Sequence, residues 1–318
     1  MTVSRKPGLA YCAVTPARNE EDNLRRLAAA MLAQHVRPVA WVIVENGSVD
    51  GTLDIARELE RAHPWVRVLR TQPSDGYDRT SAYMNAFHGG VDALDGAGDV
   101  VVKLDADVSF KPDYFARLVE AFEQDPRLGI ASGTLFEERG GTWREIVLLG
   151  DHCWGPTRAY RRSCLDVVLP LDDSIGYSVI DETRAHLAGF RTGTLRQLPF
   201  RHHRPEGARE GGGWREWSRQ GSAAHYTGYR FSYCLARASY RALSDPAALA
   251  LPAGYVLSRA RRRPTYGERS VVDAVREQQR MRHILTTVGT RLRERVAAVA
   301  RSLPPRRTSM GRWDQPFR

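Results

Sequence analysis

Asp105 and Asp107 stand one residue apart in Leu104-Asp105-Ala106-Asp107, at the end of the apolar run Val100-Val101-Val102. Side chains in an extended segment alternate between faces. Two carboxylates at this spacing therefore point the same way and can share a cation, or divide a ribose and a metal between them. A pair of acids leaving a buried strand suits a metal-bound phosphate. The alternative is a solvated turn, since aspartate favours loops and D-A-D is common by chance.

The elements that must position these acids read as alternating strands and helices. Residues 9–15 form a short apolar strand, and 20–34 carry helical spacing with Leu24, Leu27, Met31 and Leu32 on one side. Strands are predicted at 39–44, 66–71 and 99–104, and helices at 50–63 and 80–94. This alternation implies βαβ units and a parallel sheet with both faces covered. Ligands of such sheets bind at the carboxyl ends of the strands. The polar clusters lie there: residues 15–21 after the first strand, 45–52 after the second, Asp105 and Asp107 after the fourth. Residues 129–150 are strand-like and loop-rich, 180–188 form a short helix that Gly189 caps, and 191–198 form a strand.

Past Gly211 the chain changes character. Trp214, Trp217, Tyr226, Tyr229, Phe231 and Tyr233 interleave with Arg215, Arg219 and Arg230. Such helical segments suit either an interfacial surface or packing on the domain. From about residue 286 a basic helix and a disordered tail are expected.

The 318 residues allow one large domain with appendages, and 42% apolar residues exclude wholesale disorder. A net charge of +10 concentrates after Arg201, notably in Arg259-Ala260-Arg261-Arg262-Arg263 and from Arg301 to Arg307. That asymmetry points to a membrane surface or polyanionic partner for the tail, or to a merely solvated basic surface. Cys12, Cys153, Cys164 and Cys234 show neither C-x-x-C nor zinc spacing and read as isolated thiols of a reducing compartment. No signal-peptide pattern and no run of about 18 apolar residues is evident. A cytoplasmic location follows, either free or peripheral on the inner face of the cell membrane.

Three segments together resemble family 2 glycosyltransferases. Thr15-Pro16-Ala17-Arg18-Asn19-Glu20-Glu21 is similar to the family's opening segment. Glu45-Asn46-Gly47-Ser48-Val49-Asp50-Gly51-Thr52 resembles its acidic turn, and Leu104-Asp105-Ala106-Asp107 its D-x-D. The resemblance runs over about residues 8–205. It implies an α/β fold of GT-A type: a mostly parallel sheet flanked by helices, with a C-terminal helical extension. The implied domains are a catalytic unit at 1–210 (nucleotide part 8–108, acceptor part 109–210), a helical aromatic and basic extension at 211–300, and a basic tail at 301–318.

The implied activity is transfer of one sugar, with inversion, from a UDP- or GDP-type nucleotide-diphosphate sugar to an acceptor hydroxyl of a glycan, glycolipid or cell-envelope polymer. A divalent cation, Mn2+ or Mg2+, would stabilise the leaving diphosphate as a Lewis acid. By analogy Asp107 is the principal metal ligand and Asp105 lies nearer the ribose or the metal's waters. Thr15, Pro16, Ala17, Arg18, Glu20 and Glu45 line the nucleoside, with Glu45 standing where relatives often carry aspartate. Arg79 is placed to contact the diphosphate. Either His202 or His203 completes the metal site. Asp181 is the expected base that takes the acceptor proton, with Glu182 the alternative, because Ile180 replaces the first acid of the relatives' pair. Gln220 is not followed by R-W, which argues against processive polymerisation. Two other functions remain open. A sugar-nucleotidyltransferase would need a glycine-rich, lysine-containing loop after the first strand, where T-P-A-R-N-E-E stands instead. A non-catalytic polyanion-binding protein would need only the basic half. No nucleic-acid partner is expected, and the oligomeric state stays open.

Overall fold

The computed structural model describes residues 8–72, 79–146, 152–204, 213–243 and 245–280. The chain up to Arg276 forms one unit, to which the following statements refer. Of the second unit, Glu277–Arg318, residues 277–280 are described, where Arg280 pairs with Glu277 at 2.6 Å. The expected basic helix and tail lie outside the described residues.

Strand β1 (Tyr11–Ala17) is buried throughout, as are β2 (Ala40–Asn46) and β4 (Val100–Leu104). Their Val- and Ile-rich sequences are what a sheet covered on both faces requires. Tyr11, Ala13, Trp41, Ile43, Val100 and Val102 face one apolar cluster. The alternate residues Cys12, Val14, Val42, Val44 and Val101 face another. Helix α1 (Glu21–Leu32) lays Leu24, Leu27, Ala28 and Met31 on the first face, and α2 (Thr52–Ala62) adds Ile55, Ala56 and Leu59. Helix α3 (Arg79–Asp92) covers the second face with Met84, Phe87 and Val91. Each Leu, Ile, Val, Met or Phe among them, fully buried, contributes roughly 1.5–3 kcal/mol.

The sheet runs β3-β2-β1-β4-β8-β6-β9-β5, with β7 (Thr142–Glu145) on β6. The pairs of β1 with β2, β1 with β4, and β2 with β3 (Val66–Thr71) are parallel. Beyond β4 the pattern changes. β8 (Thr157–Arg161) is antiparallel to β4 and to β6 (Leu128–Arg139). β9 (Arg191–His202) is parallel to β6, and β5 (Val108–Phe110) is antiparallel to β9. The sequence reading of the first four strands and three helices is met to within a few residues. It did not place β5, β8, α4 (Tyr114–Gln124) or α5 (Arg162–Val168). Strand β9 continues four residues past its expected end, which carries His202 to the turn after β4.

Helix α6 (Tyr177–Leu187) begins three residues earlier than expected. Asp181 and Glu182 therefore sit in its second turn, so the expectation that they open the helix is corrected. Its end is as expected. Gly189, at φ +84°, lets the Gly189 and Phe190 amides donate back to His186 and Ala185 (3.0 and 2.9 Å).

The extension contains α7 (Gly213–Tyr226), α8 (Phe231–Ala242), a 3-10 turn (Pro246–Leu249), α9 (Ala250–Ala260) and α10 (Arg269–Gln278). Its aromatics divide between packed and exposed positions. Trp217 packs inward and donates to Asp245 (2.7 Å), and Tyr226 donates to Asp172 (2.7 Å). Trp214 is 59% exposed, and Phe231 also faces solvent. No helix among the described residues is long and apolar enough to cross a membrane. All four cysteines are buried free thiols.

Candidate active site

The first two loops after the parallel strands are laced to each other. Asn19, held at φ +54°, receives the Val49 amide on Oδ1 (2.9 Å), and its own amide donates to Ser48 Oγ (3.1 Å). The Glu21 amide donates to Asp50 (3.2 Å), while the Gly51 amide donates to Glu21 (3.1 Å). Thr52 Oγ1 receives the Glu20 amide (2.8 Å). Asn19, Glu21, Ser48, Asp50 and Thr52 therefore staple T-P-A-R-N-E-E to E-N-G-S-V-D-G-T. Thr15 turns into the core, where it accepts from Trp41 Nε1 (2.9 Å). Pro16 and Ala17 are buried, and Ala17 pairs with Glu45 in the β1–β2 register. Arg18 is half-buried at the rim.

Glu45 is buried. Its Oε1 accepts from the Ser48 amide, and its Oε2 stands 3.4 Å from Arg70 Nε with no hydrogen bond. Glu20 does not face outward as a ribose ligand would. Arg204 grips both its oxygens (2.9 and 2.8 Å), and Asn23 donates to it at 2.7 Å. Arg79 opens α3, and its side chain lies outside the described residues.

Residues 105–107 form the turn between β4 and β5 rather than a continuation of the strand. The alternation argument for Asp105 and Asp107 is therefore corrected. Each acid is held by a different element, and the turn is not a solvated one. Asp105 accepts from Tyr83 of α3 and from Lys103 Nζ (3.1 Å). Lys103 is fully buried. Burial opposes its charge, but Asp105 and Tyr177 together outweigh that and raise its pKa.

Asp107 is 8% exposed and stands 3.3 Å from His202 Nε2 and 3.4 Å from Arg204 Nη1. His202 is paired in register with both Val108 and Glu137, and its Nδ1 lies 3.6 Å from Glu137 Oε1. Burial works against the imidazolium, yet Asp107 and Glu137 lift His202 to about 10. The same pairing lowers Asp107 against its own burial. His203 points elsewhere. Its Nε2 bonds Ser109 Oγ (2.7 Å) and its ring meets Trp143 edge-on. Burial, then Arg26 and Arg201, lower it to about 4. Of the two histidines, the structure brings His202 to Asp107.

No group of three or more His, Cys, Asp or Glu side chains able to hold a metal occurs among the described residues. The Asp107–His202 pair still fits a divalent cation that takes most of its ligands from substrate phosphates and water. To bind such a cation His202 would give up the proton that Asp107 and Glu137 favour, with Nε2, 3.3 Å from Asp107, as the ligand atom.

The second group of acids surrounds Arg158 of β8, which is wholly buried. Arg158 meets both oxygens of Asp181 (Nε 3.1 Å, Nη2 2.7 Å) and Glu182 Oε1 (2.8 Å). Tyr160 donates to Asp181 (2.7 Å), and His152 Nδ1 lies 2.6 Å from Glu182 Oε2. Burial raises Asp181 to about 6 against the pull of Arg158. Glu182 is lowered despite burial, by Arg158 and His152. The two groups adjoin, because Lys103 and Arg158 are register partners across β4 and β8, and the Asp105 amide donates to Pro156 O (2.9 Å).

Tyr83, Lys103, Glu137, His152, Arg158, Tyr160 and Arg204 were not anticipated as site residues. Arg158, beside Thr157 and Arg161 in TRAYR, left no signal, but Lys103 did, as a charge inside the otherwise apolar strand VVVKL. Such a charge needs a buried partner.

Residues 12–168 match the family model described as Glycosyl transferase family 2. Polyprenol monophosphomannose synthase of Mycolicibacterium smegmatis is 32% identical over 186 residues, covering 52% of this chain and 66% of that protein. Undecaprenyl-phosphate 4-deoxy-4-formamido-L-arabinose transferase of Edwardsiella ictaluri is 32% identical over 133 residues, covering 41% of this chain and 38% of that protein. The chain thus spans less than two thirds of the length of these relatives. Mannosyltransferase PcManGT from Pyrobaculum calidifontis, in complex with GDP-Man and Mn2+, superposes with a TM-score of 0.53 at 17% identity, over 95% of this chain and 90% of that one. GalNAc-T7 with UDP, GalNAc and Mn2+ gives 0.56 at 12% identity, over 81% of this chain and 55% of that one. At such identities the likeness speaks for the fold alone, and that fold is GT-A. Both the architecture and the matched motifs lead to one assignment: the chain belongs to glycosyltransferase family 2.

Proposed function

We propose that the protein transfers a single sugar, with inversion, from a nucleotide-diphosphate sugar to an acceptor hydroxyl. The observation that carries this reading is the convergence of the laced loops, the Asp107–His202 pair and the Arg158-centred acids on the carboxyl ends of β1, β2 and β4. That is where an open α/β sheet binds its ligand. The nucleoside lies along the two loops, with Glu45 Oε2 as the acceptor for base or ribose. Asp105, held by Lys103 and Tyr83, faces the ribose side. Asp107 and His202 would hold a divalent cation, Mn2+ or Mg2+, which when bound would supply Lewis-acid stabilisation of the leaving diphosphate. Arg204 fixes the first loop to Asp107, and the Arg158-centred acids of α6 stand on the acceptor side.

The relatives are named for transfer involving polyprenol and undecaprenyl phosphate. A lipid-linked or cell-envelope acceptor fits this chain too. Phe231 and Leu235 of α8, Leu249, and Val256 and Leu257 of α9 are exposed, and Arg261, Arg262 and Arg263 follow them. An apolar and basic surface of this kind favours peripheral attachment to anionic lipid.

The test is a thermal-shift panel of UDP-, GDP- and TDP-sugars with Mn2+, followed by hydrolysis of the hit. A ligand that binds only the native state raises its stability with concentration. Asp107→Ala should abolish metal-dependent turnover with the fold intact; unchanged turnover would refute the metal assignment. Co-sedimentation with anionic but not neutral liposomes checks the surface.

A further inference from the structure

An acceptor hydroxyl must surrender its proton to an accessible lone pair, and both acids of α6 are buried among partners of their own. Asp181 Oδ1 accepts from Arg158 Nη2 and from the Glu182 amide (both 2.7 Å). Asp181 Oδ2 accepts from Arg158 Nε (3.1 Å) and Tyr160 (2.7 Å). Its side chain is 1% exposed. Glu182 Oε1 accepts from Arg158 (2.8 Å) and the Cys153 amide (2.9 Å), and Oε2 is occupied by His152 Nδ1 at 2.6 Å.

His152 is different. Its side chain is 44% exposed, and its Nε2 makes no hydrogen bond among the described residues. The carboxylate of Glu182 fixes Nδ1 as the N–H of the ring, which leaves the Nε2 lone pair facing outward. The backbone also holds the ring in place: Thr194 Oγ1 donates to the His152 carbonyl (2.7 Å). The segment from His152 leads through Pro156, which receives the Asp105 amide, into Thr157, the register partner of Leu104. His152 thus joins, through Glu182, the Arg158-centred group, and Arg158 is the register partner of Lys103, which holds Asp105.

We propose that His152 is the general base of this site, held by Glu182 as a carboxylate–imidazole dyad, with Arg158 and Asp181 as positioning residues. The inference rests on the glycosyl-transfer reading above. In the step, the acceptor O–H breaks and its proton moves to His152 Nε2. The acceptor oxygen bonds the anomeric carbon, and the bond to the diphosphate oxygen breaks with its electron pair on the diphosphate. The imidazolium then faces Glu182 and passes its proton to solvent. A base of this kind implies a nucleophile that arrives protonated, hence a hydroxyl; an already ionised phosphate would not need it.

The groups that set the titration of His152 come from three elements. Burial lowers it, Glu182 of α6 raises it, and Arg158 of β8 and Arg237 of α8 lower it, for a net rise. The base works when unprotonated, so turnover should climb with pH through a midpoint above the ordinary histidine value of about 6.5.

The experiment uses the full chain, Mn2+ and whichever UDP- or GDP-sugar the wild type turns over. His152→Gln should keep donor affinity within about twofold and lose roughly 100-fold or more of turnover. Imidazole should restore part of it in His152→Gly. Glu182→Gln should move the acid limb of the pH profile downward. His152→Gln within threefold of wild type, or an acid limb unmoved in Glu182→Gln, would overturn the base and leave glycosyl transfer standing. Transfer to undecaprenyl phosphate, which brings its own ionised oxygen, should be equal in wild type and His152→Gln; a loss there as large as with a hydroxyl acceptor would also overturn the base. A wild type that neither binds nor turns over any nucleotide sugar would remove both readings.

Discussion

Lys103 and Arg158 stand opposite each other in the antiparallel β4–β8 ladder, both buried, and each carries its own counter-charge: Asp105 for Lys103, Asp181 and Glu182 for Arg158. Directly opposed residues on one face have Cβ atoms about 5 Å apart, and two unpaired cations there would repel. The acids are therefore structural partners of the sheet as well as site residues. Arg158→Met should cost about 3–5 kcal/mol at neutral pH, because it leaves two buried carboxylates without their cation. Those carboxylates would then take up protons more readily in the folded state, so the loss should shrink toward pH 5. Urea unfolding at pH 7.5 and pH 5 measures both values; an equal loss at the two would refute the pairing.

Arg204 ties the first loop to the turn after β4, since it grips Glu20 at two points and reaches Asp107 at 3.4 Å. Arg204→Ala strands a buried Glu20 and removes a charge that helps to keep Asp107 ionised. A loss of roughly 3 kcal/mol in chemical denaturation is expected, together with weaker nucleotide-sugar binding. Arg204→Lys should recover little of either, because an ammonium cannot reproduce the two-point geometry.

His88 Nε2 accepts the Leu171 amide (3.0 Å), a role open only to neutral imidazole. Burial lowers its pKa, although Asp92 and Asp173 pull the other way. The folded pKa is below the unfolded one. As pH falls through the ordinary value of about 6.5, the unfolded chain therefore takes the proton first and stability declines until the folded value is passed. Against wild type, His88→Gln should flatten the stability profile below pH 6.5 in thermal melts. An unchanged slope would remove His88 from the account.

Helices α7 and α9 cross where Gly221 meets Leu251 and Gly254 meets Ser218. A Cβ on Gly254 would lie 2.0 Å from the Ser218 carbonyl oxygen. Gly254→Ala should cost about 1–3 kcal/mol through forced separation of the helices. The check is the melting temperature; a variant as stable as wild type would mean that the helices separate freely.

Much of this was legible locally. The strand and helix periods of residues 9–104 survived folding because covered parallel strands and one-sided helices are set by nearest neighbours along the chain. The two motif loops were also found, but the roles of their residues were not: Asn19, Asp50 and Thr52 bind the opposite loop. The D-x-D acids were found for a reason that the structure replaces, since they lie in a turn. Helix α4 was missed although Tyr114, Phe115, Leu118, Val119 and Phe122 carry a plain helical period; β5, β8 and α5 are too short to assign alone, and β5 and β8 are ordered by the strands beside them.

By itself the sequence determined the family, the parallel half of the sheet, and the acids at its carboxyl edge, all of which depend on residue types at short spacing. Tertiary structure decided which groups those acids meet. Glu20 and Arg204 are 184 positions apart, and Arg158 lies 23 and 24 positions from its acids. The ring of His202, rather than that of His203, reaches the Asp107 carboxylate because β9 is registered between β6 and β5. A buried charge must find its partner wherever the sheet order delivers one, and that order is not written in any single segment.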